Sequence, residues 1–587
     1  MVKQAGLFGS GYFGLGGKMS TVKPGISTRR LFGLALAIVP ALAAWSAGTA
    51  WAQRADTVLV NGKILTVDDR FSVREAIAIR DGRIVALGKS AAIRRLAGPK
   101  TRVIDLQGRT VIPGLIDSHI HAIRAALSFS TEVNWIGAAS IEEALGRMRE
   151  AVRAAKPGDW LVVAGGWTPE QFREKRRPTQ AELLAAAPDH PVYVQLFYGW
   201  AMMTPAAFKA LNINEDKDVP PRGKLDRDAS GNLTGGVSGD SATIIGLFAR
   251  LPAPTFEQSV EGTRQFFREL NRLGLTGILD PGGFGMPPKN YLPLYRVWQD
   301  RALTLRVAYS VFAQGRGKEL DEWRSFTQFL PMGLGDDMLR FNGLGENVAW
   351  GVYNNDNPSD AQKAQFYEIA KWAAERRMSL NMHWHNDSAV GVLLDVFERV
   401  NRETPIAGLR WTIVHLNDAS TATLERMKAL GVGWAMQDAG YFEGEQWVKT
   451  KGAEAVRRMP PVNTALKIGV NVGAGTDAHR VMSYNPFVAL RWMLDGKTVG
   501  GQALRGPEET PTREVALRLY TLGSAWFAFA ENQRGSLAVG KLADLAVLSK
   551  DYMTVPVEDI GRIHSLLTMV GGRIVYADKP YVRFEEK

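Results

Sequence analysis

Cysteine is absent from all 587 residues. Disulfides, thiolate metal ligands and a cysteine nucleophile are excluded, so any metal site must draw on His, Asp, Glu or Lys. The chain also lacks a G-x-S-x-G elbow, which removes the usual serine-hydrolase signature. Histidine is scarce, with eight residues in all. Acid is outnumbered, giving a net charge of +11, but five of the basic residues (Lys3, Lys18, Lys23, Arg29, Arg30) fall in residues 1–52, where there is no acid, and without them the charge is +6. The other basic residues are scattered, with short clusters such as Arg173-Glu174-Lys175-Arg176-Arg177, and form no nucleic-acid footprint. What is present is a globular composition, 45% hydrophobic and 22% charged, over a length that calls for at least two packed units.

The N-terminus reads as an address. Ser27-Thr28-Arg29-Arg30-Leu31-Phe32 precedes an apolar stretch from Leu31 to about Ala44, and Ala50-Trp51-Ala52 offers a small-x-small cleavage site before Gln53. The apolar stretch is short, and Pro40 and Gly48 interrupt it, so no stable membrane span is expected after cleavage. The paired arginines beside Leu-Phe resemble a twin-arginine export signal. That implies the twin-arginine machinery as a partner, a periplasmic or otherwise exported location, and a metal loaded before export. Met19 is an alternative start.

Residues 53–110 look all-β: an Asn61-Gly62 turn, then Ala76–Ile79, Asp81-Gly82 and Ile84–Leu87 as a hairpin. Residues 531–587 show the same grammar, in Gly540–Leu548 and Met569–Tyr576, so both termini are expected to build one composite β-sandwich. Between them, over 111–530, apolar strands alternate with helical patterns, which implies a parallel sheet. Strand candidates are 111–121, 276–280, 305–309, 339–342, 380–383, 411–415, 432–437 and 470–477. Eight strands suffice to close a (β/α)8 TIM-like barrel, whose catalytic residues sit at the strand C-termini. Residues of about 135–270 are too many for one loop and read as an inserted subdomain after barrel strand one. The fold class expected is therefore α/β.

Val111-Ile112-Pro113-Gly114-Leu115-Ile116-Asp117-Ser118-His119-Ile120-His121 delivers two imidazoles at alternate positions. On a β-strand these aim to one side, and two of them suit a borderline ion such as zinc. Further along, His383 opens His383-Trp384-His385-Asn386-Asp387, His415 ends Trp411–His415, Asp477 ends Gly475-Thr476-Asp477, and His479 follows. Six of the eight histidines lie at or just past predicted strand ends; His190 and His564 do not.

The order and spacing of these residues resemble the amidohydrolase superfamily, and in particular its family 3 branch, which includes N-substituted formamide deformylase. The supporting segments are Val111–His121, Gly165-Gly166-Trp167, His383–Ala389, Gly475-Thr476-Asp477 and Gly535–Leu548, over nearly the whole mature chain. The resemblance implies a divalent metal, zinc in the first instance, held as one or two ions by His119, His121, His383, His415 and Asp477. A divalent ion with an open position lowers the pKa of its bound water to about 7, and the resulting hydroxide attacks a carbonyl carbon. Asp477 would be both ligand and base, passing the water proton to the leaving nitrogen. His415 would ligate a second metal or hold the oxyanion.

Two features depart from that pattern. Binuclear relatives bridge their metals with a carboxylated lysine at the end of strand four, but this chain has no lysine between Lys318 and Lys363, and Glu346 is the nearby group able to substitute. Where many relatives have Gly-His followed by Asn, this chain has Gly199-Trp200 and Thr204. Trp200, Trp384, His385 and His479 are candidate substrate contacts, with Trp167 and Trp350 as further apolar walls. The reaction expected is hydrolysis of a non-peptide carbon–nitrogen bond, an amide or N-acyl amine, in a small-molecule substrate. Alternatives on the same scaffold are a deaminase, a cyclic amide or lactone hydrolase, and a non-catalytic periplasmic binding protein.

Overall fold

The computed structural model describes residues 54–384 and 386–586. The expected signal segment and His385 lie outside the described residues.

The fold is mixed α/β. Its centre is two sheets of parallel strands. β1 (Leu115–Asp117), β2 (Leu275–Asp280), β3 (Arg306–Val311) and β4 (Leu339–Leu344) pair in the order β4-β3-β2-β1. β5 (Asn381–Trp384), β6 (Thr412–His415), β7 (Gly433–Gln437) and β8 (Val472–Gly475) pair in the order β5-β6-β7-β8. The sheets meet at two edges. Leu344 bridges Leu380 in parallel, and Ser118 N donates to Ala474 O at 3.0 Å. β2 and β3 are buried along their whole length, as parallel strands covered on both faces must be.

Helices alternate with these strands: Asp360–Glu375 before β5, Asp387–Glu403 before β6 and Thr421–Leu430 before β7. Local sequence sets their ends. Ser359 and Gln362 form a capping box at the start of the first. Gly431, at φ +70°, closes the third in the left-handed conformation that glycine tolerates.

The reading of residues 111–121 as one strand needs correction. Thr110–Pro113 belongs to a different sheet, β1 is only Leu115–Asp117, and both histidines lie beyond its end. They converge because the segment past β1 is hydrogen-bonded to the segment past β8. Asp477 N donates to His119 O at 2.8 Å, and His121 N donates to Ala478 O at 3.0 Å.

Thr110–Pro113 joins Lys63–Leu65 and Val73–Arg74 with Leu545–Leu548, Ser565–Val570 and Arg573–Ala577 in one six-stranded sheet drawn from both ends of the described chain. Leu59, Ile77 and Ile104 of a neighbouring four-stranded sheet pack against Val111, Val547, Leu567 and Ile574 of the six-stranded one. The hairpin turn stands as expected, with Asp81 and Gly82 at φ +50° and +72°. A further five-stranded sheet lies between Leu161 and Ser238, with apolar clusters of its own. Among the described residues no helix is long and apolar enough to cross a membrane.

Candidate metal centre

The ends of β1, β4, β5, β6 and β8 bring six side chains together. Glu346, two residues past β4 and 3% exposed, lies among four imidazoles. Its Oε2 is 3.4 Å from His119 Nε2, 3.1 Å from His383 Nδ1 and 3.4 Å from His415 Nε2, and its Oε1 is 3.5 Å from His121 Nε2. Asp477 faces it. Its Oδ1 is 3.1 Å from His121 Nε2 and 3.5 Å from His119 Nε2, and its Oδ2 is 3.9 Å from His415 Nδ1. Three sets of ligand atoms each fit within 4.8 Å: His119, His121 and Glu346; Glu346, His383 and His415; His119, His415 and Asp477. Glu346 is common to the first two.

Backbone geometry aims these groups. His415 and Asp477 adopt φ of +66° and +52°, a region that costs a non-glycine residue about 1–3 kcal/mol and is retained where the surroundings hold it. Asp117, fully buried, accepts hydrogen bonds from His119 N at 2.9 Å and from Thr476 Oγ1 at 2.7 Å, tying the start of the first ligand loop to β8. Burial pushes its pKa up to about 7, against the pull of those bonds. Asp280, at the end of β2, accepts from Ile123 N at 2.7 Å and Gly282 N at 2.8 Å. His121 Nδ1 lies 2.6 Å from Gly282 O, so Nδ1–H donates there and Nε2 is left as the ligating lone pair.

The donor set fits a divalent cation. His119 Nε2 is buried and makes no hydrogen bond among the described residues, although it faces carboxylate oxygens. Lone pairs converging on one small volume repel unless a positive charge sits among them. Burial opposes charge on His119, yet Asp477 and Glu346 raise its pKa to about 10. Both carboxylates are held well below the usual range; burial opposes this, and the histidines overcome it. Burial, and then the charge of His383, lowers the pKa of His415, favouring the neutral imidazole that a ligand must be. With imidazole and carboxylate donors and no thiolate, zinc is suited, as are other first-row ions.

Not every expected contact joins the cluster. Trp384 follows His383 on β5 and therefore points to the other side, into the main apolar core. Trp200 lies within the five-stranded sheet, where its Nε1 donates to Asp226 Oδ2 at 2.8 Å and Arg177 stacks on its ring at 4.4 Å. Trp167 likewise packs in the apolar cluster beside that sheet, stacked on Phe172. His479 Nε2 sits 2.8 Å from Glu132 Oε2, and Arg480 Nη1 bonds Glu132 Oε1 at 2.9 Å. This trio ties Glu132 to the segment after β8.

Other residues come to the site without a motif to announce them. Tyr353 stacks on His383, with ring centroids 4.5 Å apart and planes at 25°. It continues into Trp350 and Phe284, at 5.6 and 5.7 Å. Tyr198 packs on Phe284 at 6.2 Å, and Arg124 stands over the Tyr198 ring and, across Gly283, near His121. The run of aromatic residues around Trp350 and Tyr353 was the available sequence signal, but its contact with His383 is made only by the loop after β4.

Together these features define a class: a mixed α/β scaffold with a histidine–carboxylate metal centre at the ends of its parallel strands. The amidohydrolase family model matches residues 102–576, and the chain belongs to that family. N-substituted formamide deformylase of Arthrobacter pascens is 26% identical over 546 residues, covering 89% of this chain and 99% of that protein. Among solved structures, an uncharacterized metal-dependent hydrolase from Pyrococcus horikoshii aligns with a TM-score of 0.61 at 23% identity, covering 86% of this chain and 99% of the other. The zinc complex of atrazine chlorohydrolase from Arthrobacter aurescens aligns at 0.52 and 17% identity, covering 89% and 95%. The last two are likenesses of fold. This protein is a metal-dependent hydrolase of carbon–nitrogen bonds.

Proposed function

We propose that the enzyme cleaves an amide or N-acyl amine, releasing a carboxylic acid and a free amine, with His119, His121, His383, His415, Asp477 and Glu346 as metal ligands. The observation that carries this reading is the place of Glu346, whose carboxylate faces four imidazoles within 3.5 Å. Glu346 would hold metal from the place that a modified lysine takes in other binuclear sites, and two ions would be bound, zinc being the first candidate.

The metal supplies a nucleophilic water at neutral pH and polarises the substrate carbonyl. The rest is work for this chain's side chains. Asp477 is ionised throughout the neutral range, so a carboxylate oxygen accepts the proton of the attacking water and returns it to the leaving nitrogen. The neutral amine that results is a competent leaving group. His415 faces both carboxylates and would hold the metal from the end of β6.

In this reading the two parallel sheets are halves of one (β/α)8 barrel, with the insert after its first strand and a composite sandwich from both termini. Support comes from the Leu344–Leu380 bridge and the Ser118–Ala474 hydrogen bond. Residues 1–52 act as a twin-arginine signal, placing the mature enzyme outside the cytoplasm. Arg29→Lys with Arg30→Lys should strand the protein inside the cell; unchanged export would refute that route.

Elemental analysis of the mature protein, purified without added metal or chelator, tests the centre. Two equivalents per chain are expected, and Glu346→Gln should release at least one. Failure to bind metal even on reconstitution would overturn the reading. Product analysis should find free amine rather than ammonia from N-acyl amines; ammonia from an amino-substituted ring would favour deamination instead.

A further inference from the structure

Beside the metal centre lies a cavity of about 280 Å³, roofed by the insert and walled by the loops after β1 and β2. Most of its lining is apolar, with Leu127, Ile245, Phe248, Leu251, Phe284 and Met286 among the walls. Two arginines also line it. Arg480 is committed to Glu132, at 2.9 Å. Arg124 is different. Its half-buried guanidinium makes no ion pair or hydrogen bond with a described residue; the ring of Tyr198 lies 6.0 Å away, and the Asp280 carboxylate feels its charge. Tyr198 adds a second unmet group, a buried hydroxyl with no hydrogen-bond partner among the described residues.

An unpaired cation in a mostly apolar hollow is costly unless a ligand brings the opposite charge. Guanidinium presents a planar fork of donors that matches a carboxylate. The location is equally specific. A Cβ placed on Gly283 would lie 3.4 Å from Arg124 Nη1 and 3.5 Å from His121 Nδ1, so this guanidinium and a metal-site imidazole border the same point. Arg124 thus stands near the Nδ1 edge of an imidazole whose Nε2 faces the carboxylates of the centre. The apolar walls take the group next to an anion held by Arg124.

We propose that the substrates are amides carrying a carboxylate close to the scissile bond, next to a hydrophobic group, and that Arg124 is the specificity-determining residue that binds the carboxylate, with the Tyr198 hydroxyl as a second donor. This rests on the hydrolase reading above and narrows its substrate class.

The test separates the two. Binding of 4-phenylbutanoate and of its neutral counterpart 4-phenylbutan-1-ol to the metal-loaded enzyme is measured by calorimetry; neither probe contains an amide, so no turnover is needed. The carboxylate should bind at least tenfold more tightly than the alcohol. Arg124→Met should erase that preference and Arg124→Lys should restore part of it, with thermal unfolding confirming that both variants fold. A carboxylate held by the metal alone would keep its preference in Arg124→Met. That result, equal affinity for the two probes in the wild type, or no binding of either, would overturn the proposal whatever the metal analysis finds.

Discussion

Asp477 shows how much one residue is asked to do. It sits in a strained backbone conformation, touches three histidines and stays ionised in a buried place. Asp477→Asn keeps the size of the side chain and removes its basicity, so kcat should fall by about 10²–10⁴, the usual contribution of a positioned general base. Steady-state kinetics on the metal-reconstituted variant checks this; a kcat within a few-fold of wild type would move the base elsewhere. The principal ligands were legible in the sequence because histidine is rare here and each candidate ends an apolar run. Glu346 was legible by elimination, since the segment after β4 has no lysine. Arg124 and Tyr353 were not. Arginine and tyrosine are common, and what singles these two out is an unmet charge and a stacked imidazole, both products of loops meeting in space.

At the level of elements, the active face is stitched together by contacts just past the strand ends. Gly165 and Gly166 let the segment after Leu161–Val163 approach the loop after β8: a Cβ on Gly165 would fall 2.1 Å from Arg480 O, and Gly166 N donates to that same oxygen at 3.0 Å. The Gly-Gly-Trp segment was visible in the sequence, but its purpose is a close backbone approach that no local pattern encodes. Glu132 completes the junction. Burial opposes its ionisation, but Arg480 and then His479 hold its pKa down at about 2, against 4.5 for an ordinary glutamate. Between those values the unfolded chain binds the proton and the folded one does not, so the stability this group contributes is complete above about pH 4.5 and is lost as pH falls towards 2. Glu132→Gln leaves Arg480 buried without its countercharge and should cost about 3–5 kcal/mol at neutral pH, with a flatter loss of stability in acid. Denaturant titrations of both proteins from neutral pH into acid measure this, and parallel curves would contradict it.

At the scale of the whole molecule, the terminal sheet is bound to the parallel sheets by a buried ion pair. Arg306, the first residue of β3, bonds Asp544 through Nε at 2.8 Å and Nη2 at 3.0 Å, and Asp544 also accepts from Gly571 N at 2.7 Å. Removing one partner of such a pair strands the other, so Asp544→Ala should destabilise the fold by about 3–5 kcal/mol while leaving the ligand set chemically intact. Thermal unfolding and metal content, measured together, distinguish lost stability from a damaged centre. Loss of metal with no shift in the unfolding midpoint would show that the pair serves the site instead.

The sequence by itself determined the chemistry available to this protein. Without cysteine, and with histidines and an aspartate at the ends of apolar runs, a histidine–carboxylate metal site was the expectation, the resemblance to amidohydrolases added hydrolysis, and the alternation of strands and helices pointed to a parallel α/β scaffold. Such features are local: a residue type, a spacing, a period of alternation. Tertiary structure alone decided the rest. It split residues 111–121 between two sheets, turned Glu346 towards four imidazoles at once, sent Trp200 and Trp384 into packing, and left Arg124 unpaired beside His121. Those outcomes depend on which distant segments share a strand edge or a loop cluster, and the free energy that selects them is spread over contacts between residues far apart in the chain.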